Sequence, residues 1–497
     1  MRLGISEVRE RAERFDGTLE EEIYRTRAGL KTRPEFRDLF DADPVLSGPD
    51  VIPSIERQLA EADGEEERCL RYLLEWAANF HMRSSIARLD DEYWAWEASS
   101  ALEQDGRALP LRQMALSVAS EGERSVRLEQ EVGRNEMLEE LIPMQIDRVV
   151  RARDAMADLG YGNFVEAKER LCGFSVRNLA DEMQRFLDET RDVYYDLLGY
   201  QLSRYLDVTA DQADVTDRRW LSRMDWLDEN FDRPRVIDRV HQDLREIGLL
   251  SEDGLGIERD FESRPLKRAG SFCAPIRIPG RAIICLAPTG GRPDCASYLH
   301  ELGLALHCAH TDPELLYEYR ALGDASVNEA IGVLFYRLMQ NRAWLQRVTG
   351  LEGSALEDYL VLAEFLDLCR LRRNAAILTY ELMVLGSSHA SELADTYVEL
   401  LLDATGFRHD PRTYLEHVDP ALTITRIIRG DMLASVLQTA LCDQYDEDWY
   451  RNPAAGEFLE TVFAAGRRHD AVELALQWSG ERLGVDSLLR LEDERLA

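Results

Sequence analysis

The segment Tyr298-Leu-His300-Glu301-Leu-Gly303-Leu304-Ala-Leu-His307-Cys308-Ala-His310 gathers three of the chain's nine histidines. On a helix, a histidine followed by a glutamate opens the HExxH zinc signature. Two histidines at i and i+4 share a face and reach one metal, and the glutamate lies beside the bound water as general base. His300 and Glu301 hold the first two places, but Leu304 stands at i+4. A bare His-Glu pair arises easily by chance. His307, at i+7, shares the face but sits two turns along, about 10.5 Å of rise, so joint coordination with His300 would stretch both rings toward a midpoint. A buried neutral histidine bonded to a carbonyl is the plain reading of His307 and His310, and a small buried apolar residue that of Cys308.

Glu329 follows His300 by 29 residues and opens a second amphipathic segment, Asp324-Ala-Ser-Val-Asn-Glu329-Ala-Ile-Gly-Val-Leu-Phe. A helix there, packed beside the first, would present a carboxylate to the same point. The same residues read equally as a capping box, Ser326-x-x-Glu329, in which the glutamate returns to the backbone of Ser326.

The elements that must position these groups are mostly helices. Apolar residues recur at three and four spacing between charged ones, as in 68–89 and 178–202. Breaks fall at 33–36, 41–50 and 106–110, and the helical pattern resumes after each. Residues 251–270 read as a polar loop. Then Ile276, Ile278, Ile283 and Ile284 flank Pro279-Gly280, a hairpin signal whose prolines favour a sheet edge. Such an edge could hydrogen-bond an extended peptide, or be purely structural. The motif helix is expected over roughly 295–309, with Asp294 as its cap and Thr311-Asp312-Pro313 as its stop.

From about Arg264 to Leu489 the chain resembles the thimet oligopeptidase and oligopeptidase F family of gluzincin zinc peptidases, whose motif is HExGHxxH with a glutamate ligand one helix later. His300, Glu301, Gly303, His307 and Glu329 match that pattern; Leu304 does not. The hairpin looks like the family's substrate-aligning strand, with Ile276 and Ile278 on it, and Trp449 through Leu489 looks like its C-terminal helices. The resemblance implies zinc as cofactor, His300 and Glu329 as its ligands, Glu301 as the base activating water, and His307 as a supporting residue behind the ligands. With a leucine in the third ligand's place, zinc would be weakly held or absent, because catalytic zinc sites take three protein ligands plus water.

A second departure lies downstream. The family stabilises its oxyanion with tyrosine and histidine from a later loop, here matched to 414–429. His417 is the candidate donor, but no tyrosine lies between Glu416 and Gln444. Losing one such donor costs on the order of a hundredfold in turnover. Arg426 and Arg429 could serve as cationic donors or bind a peptide carboxylate; pairing with the protein's own carboxylates is their plainer reading.

Composition bounds the partners. In 497 residues, 59 Lys plus Arg face 93 Asp plus Glu, a net charge of −34. That field repels phosphate backbones and anionic lipid, so neither nucleic acid nor a membrane is an expected partner. Only Lys31, Lys168 and Lys267 are lysines. Eight cysteines show no CxxC, and neither a signal peptide nor an 18-residue apolar run is present, so a reducing, cytoplasmic location is expected.

The expected fold is mostly α: two helical lobes, 1–205 and 206–497, around a deep substrate channel, with a small β-hairpin next to the motif helix. The expected function is that of a thimet oligopeptidase-type homologue with impaired or lost hydrolysis, binding short peptides or a protein partner. The alternative is an active zinc-dependent oligopeptidase cleaving short cytoplasmic peptides.

Overall fold

The computed structural model describes residues 4–104, 106–251 and 254–496, and most of them are helical. The periodic stretch 68–89 lies within one 36-residue helix, Gly64–Ser99. The stretch 178–202 is two helices, Val176–Glu189 and Arg191–Tyr205, parted at Thr190, whose hydroxyl turns back to the Phe186 carbonyl at 2.7 Å. Apolar periodicity ran through this junction because both helices bury the same side.

Two expectations about breaks need correction. The break at 106–110 belongs to a hairpin, in which β1 (Ala101–Gln104) pairs antiparallel with β2 (Arg107–Pro110). The polar loop at 251–270 contains β3 (Ile257–Asp260). β3 runs parallel to β5 (Arg281–Leu286), which pairs antiparallel with β4 (Ser271–Arg277), giving the order β3-β5-β4. β5 is central, and its AIICL run is buried throughout. β3 carries no strand signal of its own, because its residues are mostly charged and half exposed. It is pinned by Asp260, which receives Lys267 Nζ at 2.9 Å and Arg264 Nη1 at 2.8 Å.

β4 lies at the sheet edge, and the opening helix, Ile5–Arg27, packs against it. A Cβ on Gly17 would stand 2.9 Å from the Ile276 carbonyl oxygen, so helix and strand touch through backbone there. The largest apolar cluster draws on residues from Ala78 to Leu488, on both sides of position 205. A smaller one joins the opening helix to Phe36, Phe40 and the Gly64–Ser99 helix. Among the described residues no helix is long and apolar enough to cross a membrane.

Candidate functional site

The motif helix runs Gly291–His310, one turn longer at its start than expected, and Asp294 does not cap it. Gly290 does, while Asp294 reaches back to accept the Thr289 backbone N–H at 2.8 Å and pairs with Arg233 at 2.8 Å. The next helix, Ala325–Tyr336, is capped by Asp324, which accepts the Ser326 N–H at 3.0 Å. That frees Glu329 from the capping-box role.

Three glycines bring the helices together. A Cβ on Gly303 would stand 2.6 Å from the Ile331 carbonyl oxygen, so the motif helix and the Ala325–Tyr336 helix cross backbone to backbone. A Cβ on Gly332 would meet Leu304 Cδ2 at 2.9 Å and His300 Nε2 at 3.0 Å. On the helix Thr423–Tyr445, Gly430 lies under Glu329, whose Cβ and Cγ would each be 2.7 Å from an added methyl. The missing side chains are what allow one imidazole, one leucine and one carboxylate to converge.

His300 is placed between two carboxylates. Its Nε2 lies 3.1 Å from Glu329 Oε1, and its Nδ1 lies 3.5 Å from Glu301 Oε1. Glu301 also accepts the Ser271 hydroxyl of β4 at 2.9 Å. Burial alone would favour the neutral ring, but the hydrogen bonds and charges of Glu301 and Glu329 outweigh it and push the His300 pKa up to about 10. Burial opposes the Glu329 charge, yet the His300 partner holds that carboxyl below its ordinary range.

His307 is buried two turns further along the helix. Its Nδ1 lies 2.7 Å from the Asn328 side-chain amide, and its Nε2 lies 3.2 Å from the Gly466 carbonyl. Burial pulls its pKa down to about 4, so the ring is neutral and ties the motif helix to two neighbouring segments. His310 Nε2 meets the Leu249 carbonyl at 3.0 Å.

These groups open on a cavity of about 1080 Å³. His300, Glu301, Leu304, Cys308 and Glu329 line it, as do Ser271, Phe272, Cys273, Pro275 and Ile278 from the hairpin. Ile276 does not; it faces the opening helix on the other side of β4. His417 is likewise absent from the lining. It lies beside Glu416, 3.9 Å away, in a charged cluster with Arg134, Arg219 and Arg373. The loop turns it outward because the next helix begins only at Thr423 and presents Thr423, Arg426 and Ile427 to the cavity instead. Arg429 also lines the cavity but is spent on Asp324, at 2.7 Å. The Arg426 guanidinium is exposed to the cavity without a hydrogen bond or ion pair to a described residue, and its charge acts on Glu20 and Glu329 at longer range.

The N-terminal half supplies wall residues that the sequence did not single out. Asp16, Glu20, Ile23 and Arg27 project from the opening helix, and Tyr72, Glu75, Trp76 and Arg83 from Gly64–Ser99. Asp16 accepts the Trp76 indole N–H at 2.9 Å and the Tyr317 hydroxyl. Burial pushes the Glu20 carboxyl up to about 7, against the pull of Arg83. Their only sequence signal is charge recurring at i and i+4 on an otherwise apolar face.

The donor set does not suit a resident catalytic zinc. Only His300 and Glu329 offer themselves at the motif position, the i+4 place is a methyl group, and Glu301 is engaged by Ser271. Among the described residues no group of three His, Cys, Asp or Glu side chains has the disposition of a metal site.

No family model and no curated protein sequence matches the chain. Solved structures do. PZ peptidase A with an inhibitor aligns over 99% of this chain and 87% of its own, at 13% identity and a TM-score of 0.60. A protein assigned as oligoendopeptidase F aligns over 100% and 96%, at 13% identity and a TM-score of 0.62. Metallocarboxypeptidase 1 of Trypanosoma cruzi aligns over 98% and 99%, at 12% identity and a TM-score of 0.55. From end to end, the chain has the helical, zincin-like fold of these peptidases.

Proposed function

We propose that this chain binds short peptides in its main cavity and does not hydrolyse them. The observation that carries the reading is Leu304 Cδ2 sharing the space above Gly332 with His300 Nε2. An aliphatic group there supplies no lone pair, and the two remaining donors bond to each other. Hydrolysis of an amide needs an electrophile to polarise the carbonyl and donors for the oxyanion. The first lacks a third protein ligand, and the second lacks His417.

Binding needs less. The cavity is lined by apolar rings and by polar groups, with Arg426 uncommitted on one wall and the Ser271 end of β4 on another. Peptide carboxylates and backbone groups have partners on both. Eight cysteines without a disulfide suit a reducing compartment.

Metal content and turnover measured on one preparation test this reading. The expected result is zinc well below one per chain, no chelator-sensitive cleavage of quenched peptides, and saturable binding of the same peptides by calorimetry. Stoichiometric zinc with chelator-sensitive turnover would establish the active oligopeptidase instead.

A further inference from the structure

A second cavity, of about 670 Å³, lies on the other side of the wall formed by Asp16, Pro275, Ile278, Tyr317 and Ala321, which line both spaces. One flank is the opening helix, the other the β4–β5 hairpin tip, and Gly17 against the Ile276 carbonyl closes the floor. Arg14 and Arg25 stand on one face of that helix, three turns apart, roughly 16.5 Å at 1.5 Å per residue. That span matches about five residues of extended chain.

The charges are unevenly committed. Four carboxylates line this cavity and each has a donor: Glu13 has Arg320 at 2.8 Å, Asp16 has Trp76 at 2.9 Å, Glu21 has Arg281 at 2.7 Å, and Glu22 has Lys31 at 2.7 Å. Arg14, Arg25 and Arg277 also line it. All three are exposed, and their guanidinium groups form no hydrogen bond or ion pair with a described residue, although the Arg25 charge acts on Glu35 at longer range. In a protein with 34 surplus negative charges, this lining holds five arginines against four carboxylates. Leu39, Ile276 and Ile278 give it apolar surface between the cations.

We propose that this second cavity binds an extended acidic peptide segment, its carboxylates on Arg14, Arg25 and Arg277 and its apolar side chains between them. A nucleic acid fits poorly, because a polyanion extending beyond the three arginines meets the protein's negative field. The proposal goes beyond the reading of the main cavity and does not rest on it.

The test uses the full chain and fluorescence anisotropy with a labelled octapeptide of alternating Glu and Leu, the same peptide with Gln for Glu, and an octathymidylate. The Glu peptide is expected to bind about tenfold or more tighter than the Gln peptide, and to weaken as salt rises. The triple variant Arg14→Glu, Arg25→Glu, Arg277→Glu is expected to lose about tenfold or more in affinity for the Glu peptide, with its melting curve unchanged. The same reversal at Arg151, Arg342 and Arg490, exposed and outside both cavities, is expected to change affinity less than about twofold and controls for net charge. Equal affinity for the Glu and Gln peptides, tighter binding of the oligonucleotide, or an unaltered Kd in the cavity variant would each overturn the proposal.

Discussion

His300 Nε2 and Glu329 Oε1, from two helices that cross at Gly303, lie 3.1 Å apart and hydrogen-bond directly. With Glu301 on the other ring nitrogen, the imidazolium is itself the positive charge that two carboxylates share. That pairing has a consequence in pH, and the helices and cavity walls around it have others in metal uptake and stability.

The raised pKa of His300 makes its contribution to stability depend on pH. A histidine whose folded pKa is about 10 and whose unfolded pKa is about 6.5 stabilises fully below pH 6.5 and loses that contribution as pH rises through 10. The stability difference between the metal-free chain and His300→Gln should therefore shrink between pH 7 and pH 10 in urea unfolding. A difference that stays constant would mean that His300 is neutral.

Leu304→His should install the absent donor, because Gly332 leaves open space where the leucine methyl now lies beside His300. Zinc content after dialysis is expected to rise toward one per chain, measured by mass spectrometry, and Leu304→Ala is expected to leave it low. Flat uptake in Leu304→His would place the site elsewhere.

Gly303→Ala should destabilise by about 1–3 kcal/mol, the usual cost of overpacking, since its methyl would meet backbone atoms of Ile331 and Gly332 that have no side-chain freedom to yield. Denaturant midpoints read this directly. A neutral result would show that the two helices slide apart easily.

Asp324 joins three segments: it caps its own helix, accepts the Ala471 N–H at 3.0 Å, and pairs with Arg429 at 2.7 Å. Burial opposes its charge, but Arg429 and these hydrogen bonds hold its pKa below the ordinary value. A depressed carboxyl stabilises above its unfolded pKa of about 3.9 and ceases to do so as pH falls through the folded value. Asp324→Ala should cost about 3–5 kcal/mol at pH 7, by leaving Arg429 buried without its partner. The cost should diminish below pH 4 in acid unfolding.

Glu20 titrates the opposite way. Its folded pKa of about 7 lies above the unfolded value, so ionising it penalises the folded state progressively from about pH 4.5 to above 7. Glu20→Gln should stabilise on the order of 1–2 kcal/mol at pH 8, less than the full shift because cavity water screens the charge, and hardly at all at pH 4.5. Equal effects at both pH values would show that burial does not govern this carboxyl.

Much of the site was legible because helical spacing is a strong signal. His300, Glu301 and Gly303 declare themselves on one helix, and Glu329 is brought to them by the next. What remained hidden depends on contacts distant in sequence. β3 reads as a loop because its strand character comes from pairing with β5, not from its own residues. Pro275 borders both cavities and its neighbour Ile276 only the second, because the register shift between Pro275 and Arg277 interrupts the simple alternation of the strand. His417 lies in a loop, where no periodicity exists to fix its direction, and a matching residue type there was a poor guide to placement.

The glycine crossings at Gly303, Gly332 and Gly430 carry a consequence for the history open to such a chain. Their closeness is set by bare backbone, and an added side chain at any of the three would clash with the helix opposite it. A single substitution such as Leu304→His can therefore change which donors meet at the crossing while the three helices that frame it keep their spacing.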